Sequence, residues 1–375
     1  MTDLKKEQTE ASHLYIHYPF CVSKCGYCSF FSKEREGIEA DENFKTLLRE
    51  LSYYRENYNL QLKTIYLGGG TPSLIPLKQL AVILSDLPVS QDAEITIEVN
   101  PGDVTKEKVM NWQKLGVNRI SMGCQSMIDA ELEFLGRRHR RCEIIEAVEI
   151  IKSLGINNLS LDLIYGLPNQ SWQNVKHSLQ QLVSLQPEHI STYCLSLEEG
   201  CKLFDWKNRL PEDEMTSDMY FSLIEYLEEH GFKQYELSSF SKPGKISRHN
   251  LAYWQQQYYL GCGPSAAGYL PGFRYKNPSN LPDWEKAVQQ SRYFEERDVI
   301  TGEIEEKEYI MLALRLTEGI DLEYFRKKFK VDFREKYSKE LAGYVARRLM
   351  VYDDKRAWLC RAGYFISNEI LCDFI

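Results

Sequence analysis

Across the first 240 residues a short β-like run is followed six times by an amphipathic helical run, and that succession leaves few folds open. The runs are Leu14–Ile16, Thr64–Leu67, Ile95–Val99, Arg119–Met122, Leu159–Ile164 and His189–Leu195. Between them the apolar residues fall at helical spacing. Phe44, Leu47, Leu48 and Leu51 share one face, as do Ile144, Ile145, Val148 and Ile151, and Gly155 stops the second helix. Repeated β-then-α units read as a parallel sheet covered by helices. The polar residues choose a barrel over an open doubly wound sheet, because barrels gather their sites at the C-terminal ends of the strands. Here a cysteine cluster follows the first run, Gly68-Gly69-Gly70-Thr71-Pro72 the second, and Glu98 with Asn100-Pro101-Gly102 the third. Gln125 lies past the fourth, Asp162 within the fifth, and Ser196 beyond the sixth. Six such residues on one rim imply one shared mouth.

The expectation is therefore an α/β chain built on a partial (β/α)6 barrel over residues 1–240. Turn signals at Lys242-Pro243-Gly244 and Gly261-Cys262-Gly263-Pro264 mark 241–300 as a connecting segment. In 301–375, helical runs, a hairpin around Asp353-Asp354 and a last helix near Asn368–Phe374 predict a small α+β, winged-helix-like domain. That domain carries 14 Lys+Arg against 14 Asp+Glu, and the whole chain a net charge of −8, so nucleic-acid binding gains no electrostatic support. Met1 to His13 is polar and has no signal-like apolar core, and no run reaches the roughly 18 apolar residues of a membrane span. A cytoplasmic protein, not integral to a membrane, is expected.

Of ten cysteines, three crowd into Cys21-Val22-Ser23-Lys24-Cys25-Gly26-Tyr27-Cys28. Three thiolates at this CxxxCxxC spacing can bind three irons of a [4Fe-4S] cubane and leave the fourth iron open, with Gly26 letting the backbone wrap closely. Zinc competes, because His17 offers a fourth ligand for a Cys3His set. Cys124, Cys142, Cys194, Cys201, Cys262, Cys360 and Cys372 read as small buried hydrophobes.

CxxxCxxC after a first strand and Gly-Gly-Gly-Thr-Pro after the second resemble the radical S-adenosylmethionine (SAM) superfamily. There the methionyl amino and carboxylate groups of SAM chelate the open iron, and reductive cleavage gives a 5′-deoxyadenosyl radical. From Leu14 to Asn368 the resemblance narrows to the coproporphyrinogen-oxidase-like branch and its haem chaperones. It is carried by Tyr15-Ile16-His17-Tyr18-Pro19-Phe20-Cys21, Asn118–Gly123, Asp162–Pro168 and His249-Asn250-Leu251-Ala252-Tyr253-Trp254. It implies that Tyr15 and Tyr27 flank the cluster and SAM, with Gly70 and Thr71 at the methionyl amino group. Glu98, Gln125, Arg137 and Asp162 would reach the methionine moiety and ribose, and Ser196 the adenine end. The residue chemistry is compatible: a cationic ligand wants the acceptors Glu98 and Asp162, and its carboxylate wants the guanidinium of Arg137. Arg137 reads equally well as part of a solvated run with Arg138 and Arg140.

Two local features separate the branches. The oxidases that this chain resembles carry a fourth cysteine, CxxxCxxCxC, where Phe30 stands here, which argues against porphyrinogen decarboxylation. His249-Asn250-x-x-Tyr253-Trp254 resembles a motif of the haem chaperones. If helical, it places His249 and Tyr253 one turn apart, a possible imidazole ligand for haem with aromatics to stack on it. A hydrogen-bonded, packed histidine is the competing reading. The resemblance thus implies a chaperone that carries haem to apo-haemoproteins, with a cluster and SAM. The rival is a radical SAM enzyme that oxidises or methylates a tetrapyrrole such as coproporphyrinogen III. A homodimer stays open.

Overall fold

The computed structural model describes residues 10–34 and 37–375. Most of the polar stretch before His13 lies outside them. The six expected strands are present as β1 (Glu10–Tyr18), β2 (Asn59–Gly69), β3 (Val89–Val99), β4 (Arg119–Gln125), β5 (Leu159–Tyr165) and β6 (His189–Cys194). They are followed by β7 (Lys233–Glu236), β8 (Ser239–Ser241), β9 (Tyr259–Cys262), β10 (Ala267–Leu270), β11 (Phe273–Lys276) and β12 (Arg297–Val299). All twelve form one sheet in the order β12-β11-β10-β9-β1-β2-β3-β4-β5-β6-β8-β7. β9 and β1 to β6 run parallel, and antiparallel strands extend both edges. The edge strands do not pair with each other, so the barrel is partial.

The segment expected to connect two domains thus supplies four strands, β9 to β12, to the sheet. β9 makes a seventh parallel strand beside β1. It escapes sequence reading because only Tyr259 to Cys262 is extended, immediately before the turn signal Gly263-Pro264.

Each core strand alternates. Leu14, Ile16, Ile65, Leu67, Ile97, Ile120, Met122, Leu161 and Ile190 are buried in one apolar cluster with helix residues. The helices are α1 (Gly37–Asn57), α2 (Leu77–Ser85), α3 (Lys106–Lys114), α4 (Asp129–Phe134), α5 (Arg141–Ser153), α6 (Trp172–Ser184) and α7 (Asp213–Glu229). Leu47, Leu51, Ile83, Trp112, Ile144, Val148 and Leu179 come from those helices. At about 1.5–3 kcal/mol for each large apolar side chain buried, this outer layer is the main source of stability. α5 ends as expected before Gly155, whose φ of +83° suits a helix stop.

The opposite strand face is polar: His13, Tyr15 and His17 on β1, Thr64 and Tyr66 on β2, Glu94, Thr96 and Glu98 on β3, Ser160 and Asp162 on β5. Parallel barrels ordinarily fill this face with Val, Ile and Leu. Here a short helix, α8 (Arg248–Trp254), closes it from below. Ser247 caps α8 by accepting from the Asn250 amide, and the Glu94 carboxylate accepts from the amides of Arg248 and His249.

The C-terminal region has its own core around Ile310, Phe325, Phe333, Leu341, Met350, Leu359 and Phe374. Its helices Glu303–Ala313, Leu322–Phe329 and Ser338–Ala346 precede a Met350–Tyr352/Arg356–Leu359 hairpin, in winged-helix-like order, and Ser367–Cys372 forms the last helix. It docks on the sheet edge, where the Thr317 amide donates to Tyr235 and the Leu237 amide to Arg315. Among the described residues, no helix is long and apolar enough to cross a membrane.

Candidate functional site

The cysteine loop leaves the end of β1 and is tied down before any ligand is considered. Phe20-Cys21 pairs with Lys33-Glu34. The amide of Gly70 donates to Tyr18, and that of Thr71 to Phe20. The glycine run therefore first serves packing. A Cβ on Gly68 would meet the ring of Tyr15 at 2.8 Å, one on Gly69 the ring of His17, and one on Gly70 the Phe20 carbonyl at 2.7 Å. Gly26 is clamped from two sides, its amide donating to Leu135 and its carbonyl accepting from Leu203.

Cys21, Cys25 and Cys28 are all free and half-buried. The Thr71 hydroxyl donates to the Cys21 sulfur at 3.4 Å, and Arg137 donates to the Cys25 sulfur at 3.3 Å. Burial, reinforced by the neighbouring thiols, pushes the Cys28 thiol up. A metal that takes thiolates relieves that penalty. His17 does not complete a zinc set: Nδ1 is hydrogen-bonded with the Tyr15 hydroxyl and Nε2 with the Phe31 carbonyl, so neither nitrogen is left for a metal.

Arg137 is largely buried, unlike the half-exposed Arg138, which reaches Asp103. Gly136, at φ +71°, turns the chain there. The Arg137 guanidinium donates to Cys25, Asn100 and the Gly123 carbonyl, and its Nε has no partner. The solvated-run reading holds for its neighbours and fails for Arg137 itself. Asn100, noted in the sequence only as a strand-end residue, proves to be the contact that orients it. A cavity of about 110 Å3 opens here beside Cys25, Thr71, Asn100 and Arg137.

Glu98 and Asp162 sit on the inner strand face below. Burial pushes the Glu98 carboxyl up to about 7, opposed by the Tyr66 hydroxyl that donates to it at 2.8 Å and reinforced by Asp162. Burial likewise takes Asp162 up to about 6. One Asp162 oxygen, Oδ1, has no hydrogen-bond partner, and neither does Gln125 Oε1. Gln125 adopts φ +69° at a β-bulge against β5, a strained geometry that aims its side chain. Tyr15 stacks on Tyr66 with centroids 6.2 Å apart. Tyr27 is partly buried between the cysteine loop and an apolar cluster that includes Leu135 and Leu195, and Ser196 is exposed just beyond β6.

The motif residues of α8 lie under this mouth. His249 is 1 % exposed, with Nδ1 2.6 Å from the Thr64 hydroxyl and Nε2 2.8 Å from the Tyr253 hydroxyl. Burial holds it well below the ordinary histidine range, so it is neutral. Coordination of haem by this ring would require one of those contacts to open. Trp254 points the other way, against Arg315 of the C-terminal domain. A larger open cavity, about 770 Å3, is bordered by His13, Gln257, Tyr258, Tyr324, Lys327 and Lys328, and both of its lysines are already paired with glutamates. Of the scattered cysteines, Cys124, Cys201 and Cys262 are buried as expected, whereas Cys360 is half-buried and Cys142, Cys194 and Cys372 are exposed. Cys142 lies in the first turn of α5 and Cys372 in the final helix, both on solvent faces.

Comparison with known proteins gives this geometry a family. The radical SAM superfamily model matches residues 15–182 and the HemN C-terminal domain model residues 305–366. The haem chaperone HemW of Lactococcus lactis is 32% identical over 96% of both chains. The chain belongs to the HemW family of radical SAM proteins. Escherichia coli HemW is 36% identical over 82% of this chain and 83% of its own. The fold matches E. coli coproporphyrinogen III oxidase HemN, described as a radical SAM enzyme, with a TM-score of 0.86 at 20% identity, covering 99% of this chain and 91% of that one.

Radical SAM membership implies a [4Fe-4S] cluster and SAM, and the mouth fits both. Three clustered thiols suit the cluster. Two buried carboxyls held above their usual range, with one unpartnered oxygen, suit a cationic, hydroxyl-bearing ligand, since a nearby cation lowers both. The unpartnered Gln125 oxygen and Arg137 Nε add one acceptor and one donor, each costly to leave buried without a ligand. Bound there, SAM on the cluster would supply radical chemistry. The chain's own residues would contribute thiolates, orientation by Asn100 and Arg137, and a charge-matched wall of Glu98 and Asp162.

Proposed function

We propose that this chain is a haem chaperone: it holds a SAM-ligated [4Fe-4S] cluster through Cys21, Cys25 and Cys28, binds haem as cargo and passes it to apo-haemoproteins. Tyr15, Tyr27, Gly70, Thr71, Glu98, Gln125, Arg137 and Asp162 form the SAM pocket in this reading, and the protein works in the cytoplasm. The observation that carries the reading is Phe30. It stands two residues after Cys28, where the coproporphyrinogen oxidases that the sequence resembles have a fourth cysteine, and it is 69 % exposed on the cluster loop. A thiol-free, apolar rim beside the cluster suits cargo handling better than a further redox ligand. The full-length similarity to proteins named haem chaperones supports the same conclusion.

Anaerobically reconstituted protein should bind haem saturably, near one per chain, and transfer it to an apo-haemoprotein such as apomyoglobin. Failure to saturate, or haem that never leaves, would remove the chaperone reading. Sustained 5′-deoxyadenosine formation coupled to conversion of coproporphyrinogen III would replace it with an enzyme.

A further inference from the structure

The His249-Asn250-x-x-Tyr253-Trp254 helix lies at the closed end of the barrel, and what its histidine touches leads back to the mouth. The His249 ring stacks on Tyr66, centroids 5.1 Å apart with an interplanar angle of 28°. Tyr15 also stacks on Tyr66, centroids 6.2 Å apart. Tyr66 is therefore held by both rings, and its hydroxyl donates to Glu98 Oε1 at 2.8 Å. The histidine cannot slide, because the Thr64 and Tyr253 hydroxyls pin its two nitrogens and Glu94 accepts from its backbone amide. Both hydroxyls that pin it are themselves fixed. Thr64 lies on β2 and is shared with His13, and Tyr253 packs edge-on against Tyr259 of β9.

We propose that His249 is a positioning residue of the SAM pocket, which sets the Tyr66 ring so that the Tyr66 hydroxyl holds Glu98 toward the ligand. His249 does not touch SAM; it acts through Tyr66. A carboxylate that must face a cation is worth more when a hydrogen bond fixes it in advance, because no reorganisation is needed on binding. The buried imidazole is suited to this task. It is flat enough to stack and has two nitrogens at a fixed angle to anchor the stack. The inference rests on the SAM-binding reading of the mouth and is independent of haem cargo.

The experiment measures SAM affinity by equilibrium dialysis and haem binding by absorbance titration, both on anaerobically reconstituted holo-protein with iron content checked. Tyr66→Phe removes only the hydroxyl on Glu98. His249→Phe keeps a ring for stacking and removes both anchors. Each should weaken SAM binding roughly tenfold, the size of one lost hydrogen bond to a charged group. The double variant should lose little more than either single one, because both act on the same contact. His249→Gln, whose amide can reach both hydroxyls but which has no ring to stack on Tyr66, should also weaken SAM binding, and haem stoichiometry should hold throughout.

Unchanged SAM affinity in His249→Phe would overturn the proposal, as would losses that multiply in the double variant. If SAM affinity is kept while haem binding disappears, His249 is a haem ligand and the proposal is wrong. Should His249→Phe not fold, Tyr66→Phe and His249→Gln decide alone: losses in both, with the same iron content, support the proposal, and unchanged affinity in either overturns it. If the wild type binds SAM but not haem, the chaperone reading falls while this inference is still judged on its own measurements.

Discussion

The two ends of the barrel interior are built from similar residues and are satisfied very differently. At the mouth, Asp162 Oδ1, Gln125 Oε1 and Arg137 Nε are buried without partners. At the floor, His13, Thr64, His249 and Tyr253 form a closed set, with His13 held by Thr64 and Gln257 and His249 by Thr64 and Tyr253. Deeper still, His189 is bonded with both Ser160 and Tyr235. A buried polar group without a partner costs about 1–3 kcal/mol, so three of them around one mouth favour a ligand that pairs with them. The histidine network of the floor serves the structure, although Thr96 Oγ1 on β3 and Trp254 Nε1 on α8 also lack partners; the mouth is where three such atoms gather beside the cysteine loop.

The largest effects should separate the two ends. Asp162→Asn removes charge at the mouth with little change of shape, so SAM affinity should fall roughly 30-fold while the urea midpoint holds. A lower midpoint with intact affinity would make Asp162 structural and erase the distinction. At the floor, Thr64→Val leaves two imidazole nitrogens facing a methyl group, and urea denaturation should show about 2 kcal/mol of lost stability. No loss would mean the floor is not the closed network described.

Next in size is a proton effect. Glu98 at about 7 and Asp162 at about 6 lie above their unfolded values near 4. The folded protein without ligand therefore binds extra protons between about pH 4 and 7, and these two groups cost it stability as the pH rises through that window. A cationic ligand lowers both values. Calorimetric titration of SAM at pH 6.5 in buffers of different ionisation enthalpy should report release of about one proton from these carboxyls, beyond the proton that the amino group sheds on chelating iron, and Glu98→Gln should remove most of the carboxyl share. Proton release at pH 6.5 that is the same in Glu98→Gln as in the wild type would show that the carboxyl does not face the cation. Smallest, Glu94→Ala should destabilise the protein by about 1 kcal/mol in the same urea assay, since only the cap of α8 is lost.

The same contrast explains what the sequence could reveal. The six strands were legible because their outward residues, such as Leu14, Ile65, Ile97 and Leu161, must be apolar to meet the helices. The cysteine spacing and the rim residues were legible because their chemistry is unusual wherever it occurs. Arg137 was not separable from Arg138 and Arg140, since its burial depends on a chain turn at Gly136 and on Asn100, some 37 residues earlier. Tyr66 carried no signal at all: its role comes from a hydroxyl that meets Glu98 on the next strand, a matter of register. β9 was hidden because a strand of four residues next to a Gly-Pro turn has no period to read. The motif's spacing puts His249 and Tyr253 one turn apart on condition of a helix, which Arg248–Trp254 is, but which way that face points is set by the Glu94 cap, which no local pattern announces.

The central claim is that three thiols hold an iron cubane whose fourth corner opens onto a mouth prepared for SAM. Mössbauer spectroscopy of iron-57-reconstituted protein, with and without SAM, tests it most directly. One iron of a [4Fe-4S] cluster should differ from the other three and shift when SAM is added, and the cluster should be absent when Cys21, Cys25 and Cys28 are alanine. A cluster that survives the triple substitution, or four equivalent irons indifferent to SAM, would contradict it.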